Sequence, residues 1–180
     1  MLNINEEILI PSDVEVSIDG RKIKAKGEKG QLEIEFFHPK IKVNKDNDNI
    51  KFNPKKATKT EKRLIATIKA HIKNIIIGVN DGYEYQLKGC SSHFPMNLVL
   101  QGNSLIIKNF IGEKIPRKAK ILEGVSVVLE SDQIILNGIS KEKVGQTAAN
   151  IESACKITKR DRRRFEDGIY ITSKGGKKIE

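Results

Sequence analysis

The 180-residue sequence has no tryptophan, 5% aromatic residues in all, two cysteines, three histidines and five prolines, and each scarcity closes off a kind of function. So few rings weaken any platform that would stack unpaired bases along a single strand. Cys90 and Cys155 lie far apart, a poor disulfide framework that suits a reducing compartment, and both read as small apolar residues. No apolar run approaches the roughly 18 to 20 residues that cross a bilayer. Residues 1–7 show no basic stretch leading into an apolar one, so an intracellular, cytoplasmic location without a membrane partner is expected.

Metal and catalytic chemistry are equally poorly supplied. Cys90-Ser91-Ser92-His93 has the spacing of half a zinc site, but the other half is missing. His38, His71 and Cys155 are the remaining soft ligands, and the last two fall within helical patterns. The three histidines have no nucleophile elbow to serve. Gly27-Glu28-Lys29-Gly30 sits between two strand patterns, where a phosphate loop would lie between a strand and a helix, so it reads as a hairpin turn. No cofactor, no metal, no catalytic residue and no enzymatic activity are expected.

What the chain does have is charge. Hydrophobic residues at 38% and charged ones at 31% describe a globular protein with a wet surface. Its 33 Lys and Arg exceed 23 Asp and Glu, giving +10 and an isoelectric point near 9.5, the balance of a polyanion binder whose affinity falls in salt.

Order recurs along the chain. Residues 23–29 (IKAKGEK) resemble 107–114 (IKNFIGEK) with one insertion, and 48–53 (DNIKFN) resemble 132–137 (DQIILN) at an offset of 84. Val14, Val16 and Ile18, then Leu32, Ile34 and Phe36, Ile41 and Val43, and Ile50 and Phe52 alternate with polar residues as half-buried strands do. The period then lengthens. Thr58 with Glu61 forms a helix start, and Leu64, Ile65, Ile68, Ile72, Ile75 and Ile76 make one apolar stripe that ends at Gly78. The second half repeats the plan. Leu98, Leu100, Leu105, Ile107, Ile121, Val125, Val127, Leu129, Ile134 and Leu136 supply strands, Ser140 caps a helix, and Val144, Ala148, Ile151 and Cys155 form its stripe. The pattern predicts an α+β protein of two duplicated small domains, 1–80 and 81–180, each an antiparallel sheet covered on one face by a helix.

The final segment differs in character. From 156 to 179, nine cations (Lys156, Lys159, Arg160, Arg162, Arg163, Arg164, Lys174, Lys177 and Lys178) face only Asp161, Glu166 and Asp167. Arg and Lys grip phosphates through charge-assisted hydrogen bonds, and arginine adds bidentate geometry. Interleaved Phe165, Ile169, Tyr170 and Ile171 imply an ordered segment rather than a free tail, whereas residues 175–178 read as ordered only on a partner. Structured RNA, met through shape and phosphate, is the partner this pattern suits.

Four stretches resemble the universal large-subunit ribosomal protein six family, protein nine in eukaryotes. They are 27–32 (GEKGQL), 70–83 (AHIKNIIIGVNDGY), 93–97 (HFPMN) and 159–170 (KRDRRRFEDGIY), the last similar to eukaryotic and archaeal endings. The resemblance implies two duplicated α+β domains. It also implies binding to large-subunit ribosomal RNA near the sarcin-ricin loop and stalk base, with neighbouring ribosomal proteins and translation factors nearby. Matched residue by residue, it carries RNA contact to Lys159, Arg160, Arg162, Arg163 and Arg164; Lys156, Lys174, Lys177 and Lys178 join them on charge alone. An RNA chaperone or translational regulator outside the ribosome is the alternative. An RNA-processing enzyme would need clustered carboxylates or a metal site.

Overall fold

In the computed structural model, residues 7–20, 22–35, 41–46, 49–54, 58–158, 160–161 and 163–179 are described. They form two compact units, Met1–Gly82 and Tyr83–Glu180. The first unit opens with β1 (Glu7–Leu9), β2 (Glu15–Asp19), β3 (Lys22–Gly27), β4 (Gly30–Glu35), β5 (Ile41–Asp46) and β6 (Asn49–Pro54), and closes with helix α1 (Lys59–Asn80). The strands make two antiparallel sheets, ordered β2-β3-β4 and β1-β6-β5. Alternation explains the core: Val16, Ile23, Ala25, Ile50 and Phe52 point inward, and Ile65, Ile68, Ile72, Ile76 and Val79 supply the apolar stripe of α1, which packs on β3 and β4.

Two expectations in this unit change. The helix runs two residues past Gly78, because Gly78 and Val79 are buried in it, and ends where Asp81 and Gly82 both donate to the Ile77 carbonyl at 2.8 and 3.2 Å. Thr58 does precede the helix, but its hydroxyl donates to the Glu61 carboxylate instead of accepting from a backbone N–H. Phe36 and His38 lie outside the described residues. The 27–30 segment is the expected hairpin turn, pairing Gly27 with Gly30. It rests on the end of α1, with the Lys29 N–H donating to the Val79 carbonyl at 2.9 Å. A Cβ on Gly27 would stand 2.7 Å from that same carbonyl oxygen, so glycine is what permits the approach.

The second unit repeats the plan and then extends it. Its strands are β7 (Tyr83–Cys90), β8 (Asn97–Gln101), β9 (Ser104–Lys108), β10 (Arg117–Lys120), β11 (Val125–Glu130) and β12 (Gln133–Gly138), followed by helix α2 (Lys141–Ala154). The order β8-β9-β10 mirrors β2-β3-β4, and β7-β12-β11 mirrors β1-β6-β5. The similar pair 48–53 and 132–137 proves to be β6 and β12, each the strand that leads into its unit's helix. Two further strands, β13 (Gly168–Lys174) and β14 (Lys177–Lys178), add to the free side of β7 to give a five-stranded sheet, β11-β12-β7-β13-β14. Helix α2 covers one face of it, burying Val144, Thr147, Ala148 and Ile151 against Tyr85, Leu87, Ile134, Leu136 and Ile169. Ser140 accepts from the Lys143 N–H at 3.4 Å, the cap the sequence indicated.

Candidate nucleic-acid interface

The basic ending begins where α2 stops, and a side chain outside the ending fixes that point. Arg117 donates from Nη1 to the carbonyls of Ala154 and Lys156 at 2.9 and 3.1 Å, closing groups that a helix C-terminus leaves open. Its Nε and Nη2 bind the two Glu113 carboxylate oxygens at 2.8 and 2.6 Å, and its guanidinium lies 4.2 Å from the Phe110 ring centroid. The bond from Arg117 holds the Glu113 carboxyl below the usual range.

A second anchor closes the far side. Asp167, 1% exposed, precedes β13 and accepts from the Ser92 and His93 backbone N–H groups at 2.7 and 3.1 Å, with the His93 Nδ1 at 2.6 Å. Burial works to raise this carboxyl, but the bonds from the His93 backbone, the His93 ring and the Ser92 N–H outweigh it and keep the pKa below the ordinary aspartate value. The described residues between 156 and 167 therefore form a loop tied at both ends. Between the ties, Asp161 shapes a turn, taking the Arg164 and Phe165 N–H groups on its carbonyl at 3.1 and 3.0 Å.

On this frame Lys156, Arg160, Arg163 and Arg164 are exposed together. Arg163 is engaged by Asp161 at 2.8 Å, both side chains reaching solvent, and Arg160 lies 4.7 Å from the centroid of Phe165. Lys159 and Arg162 lie outside the described residues. Lys174, Lys177 and Lys178 are exposed too, but at the other end of β13, roughly 20 Å away at about 3.3 Å per residue. The seven described cations thus divide into a loop group and a hairpin group.

The 175–178 segment corrects the expectation of an ending ordered only on a partner. Gly175 and Gly176, with φ of +57° and +79°, make the two-residue turn that suits a tight hairpin, and Lys177–Lys178 pairs with β13 as β14. The Ile179 N–H continues the ladder to the Thr172 carbonyl at 2.8 Å. Lys174 and Lys177 stand directly opposite each other, a like-charge pair that an outside anion would relieve. In the first unit, by contrast, Lys22 and Lys24 on β3 are answered by Glu33 at 2.7 and 3.7 Å.

Asp167, His93 and Arg117 are the residues that sequence reading missed. In the sequence Asp167 reads only as an acid diluting the basic run, and its partners lie 74 and 75 positions away. The half zinc spacing at 90–93 has another use: His93 serves Asp167, and burial pushes the Cys155 thiol up to about 12, leaving it a protonated core residue. Among the described residues, no three His, Cys, Asp or Glu side chains gather as metal ligands, and no helix is long and apolar enough to cross a membrane. A cleft of about 330 Å³ beside the loop is lined by residues such as Lys156, Ile157 and Tyr170.

Comparison with known proteins agrees with this duplicated architecture. The family model Ribosomal protein L6 matches residues 10–82 and 94–168, one copy in each unit, and leaves most of β13 and all of β14 beyond it. The chain is 43% identical to the large ribosomal subunit protein uL6 of Methanococcus vannielii over 174 residues, covering 97% of this chain and 96% of that one. It is 43% identical to the uL6 of Methanobrevibacter smithii, covering 95% and 96%, and 44% identical to that of Methanocella arvoryzae, covering 93% and 96%. With both units matched and archaeal relatives aligned almost end to end, the chain belongs to the ribosomal protein L6 family, in its archaeal and eukaryotic form.

Proposed function

We propose that this chain is a structural constituent of the large ribosomal subunit, in the cytoplasm, that holds ribosomal RNA through the basic ending of its second unit. The observation that carries this reading is the doubly anchored loop, where Lys156, Arg160, Arg163 and Arg164 stand exposed on a frame fixed by Arg117 and Asp167. A polyanion meeting such a loop finds its cations already gathered, so binding costs less ordering than it would with a free tail. Lys159 and Arg162 complete that group by sequence, and Lys174, Lys177 and Lys178 offer a second point of attachment. Phosphate neutralisation and clamping of RNA helices are the mechanism, with little reading of bases. The chain is not an enzyme, and no bond is made or broken.

The family resemblance supports a position near the sarcin-ricin loop and the stalk base, beside other ribosomal proteins and within reach of translation factors. A tagged copy sedimented through high salt tests membership of the particle. Retention with the large subunit is expected; release into the light fractions would favour an RNA-binding regulator or chaperone outside the ribosome.

A further inference from the structure

Phe165 is the one ring within the anchored loop, and it touches both a cation and an anchor. Its centroid lies 4.8 Å from that of His93 with the planes 22° apart, and the Arg160 guanidinium carbon lies 4.7 Å from the same ring. His93 is itself held twice by Asp167, through its backbone N–H and through Nδ1. An ionised carboxylate only accepts, so Nδ1 carries a proton and donates, and the imidazole is fixed in rotation. Glu113, the acid that senses the charge of Arg160, has both oxygens occupied by Arg117. A guanidinium resting on a ring has given up rotamer freedom before any ligand arrives, while its N–H donors stay available.

We propose that Asp167, His93 and Phe165 are positioning residues that hold Arg160 ready for an RNA phosphate. This rests on the reading of the ending as an RNA contact. The order of action runs from the buried carboxylate to the imidazole, from the imidazole to the phenyl ring, and from the ring to the guanidinium. Phe165 then matters to binding only through Arg160.

A double-mutant cycle on the full chain tests this, with deproteinised large-subunit ribosomal RNA as the probe and affinity read at fixed moderate salt. Arg160→Ala should weaken binding about three- to tenfold and Phe165→Leu about two- to fivefold, while Phe165→Tyr should bind like wild type. The double variant Arg160→Ala with Phe165→Leu should be no weaker than Arg160→Ala alone, a coupling that general loosening of the loop would not produce. Should Phe165→Leu lower the melting transition, His93→Ala is carried through the same cycle, since it leaves Phe165 in place. Additive losses, an unchanged affinity for Phe165→Leu, or an unchanged affinity for Arg160→Ala overturns the proposal. The underlying reading fails separately, if a variant with Lys156, Arg160, Arg163 and Arg164 all changed to Ala binds the RNA as wild type does.

Discussion

At Asp167, two backbone N–H groups and an imidazole nitrogen from one distant loop converge on a single buried carboxylate. Asp167→Ala would remove three hydrogen bonds to a buried carboxylate, and at about 0.5–1.5 kcal/mol net for each the loss should reach about 2–4 kcal/mol in urea unfolding at neutral pH. The sign of its pH dependence follows from the lowered pKa. Its stabilising contribution is whole above the ordinary aspartate value, about pH 4, and is lost as pH falls through the lower folded value. Asp167→Asn should therefore unfold more easily than wild type at pH 7 and show a shallower loss on acidification; parallel acid profiles would remove Asp167 from the account. Gly27 makes the matching case in the first unit. Gly27→Ala places a methyl group 2.7 Å from the Val79 oxygen and must push the 27–30 hairpin off the end of α1, at about 1–3 kcal/mol by thermal melting.

Among the elements, β13 decides whether the ending is a strand or an appendage. It pairs along β7 from Gly168 opposite Cys90 to Lys174 opposite Tyr85, and carries Ile169 into the core at 1% exposure. Ile169→Ala should cost about 2–4 kcal/mol, while Lys177→Ala with Lys178→Ala should stay within about 0.5 kcal/mol; equal, small effects in urea titrations would mean that β13 is not built into the sheet. Sequence periodicity showed both helices and most strands because their alternation is a local property of the chain. It does not single out β7, although Tyr83, Tyr85 and Leu87 alternate there. It had no means of seeing β10, where only Ala119 is buried among Arg117, Lys118 and Lys120, or the three-residue β1. The ending's cations were legible as charge. Its anchors were not, because Arg117 reaches carbonyls 37 and 39 positions on and Asp167 reaches back 74 and 75.

For the whole molecule, the net charge of +10 sets the general attraction to polyanions, and the anchored loop concentrates it. Replacing Arg162, Arg163 and Arg164 with Ala should reduce the slope of log affinity against log salt by about one for each phosphate that no longer meets an arginine. Melting should stay nearly unchanged, since Arg163 and Arg164 are exposed in the free chain. A fall in melting temperature with an unaltered slope would reassign these arginines to structure. The most direct measurement is the position of residues 156–178 within the native large subunit, by electron cryo-microscopy. The account predicts the guanidinium and ammonium groups of the loop within hydrogen-bond distance of RNA phosphates; the same loop facing bulk solvent, with RNA gripped elsewhere on the chain, would contradict it.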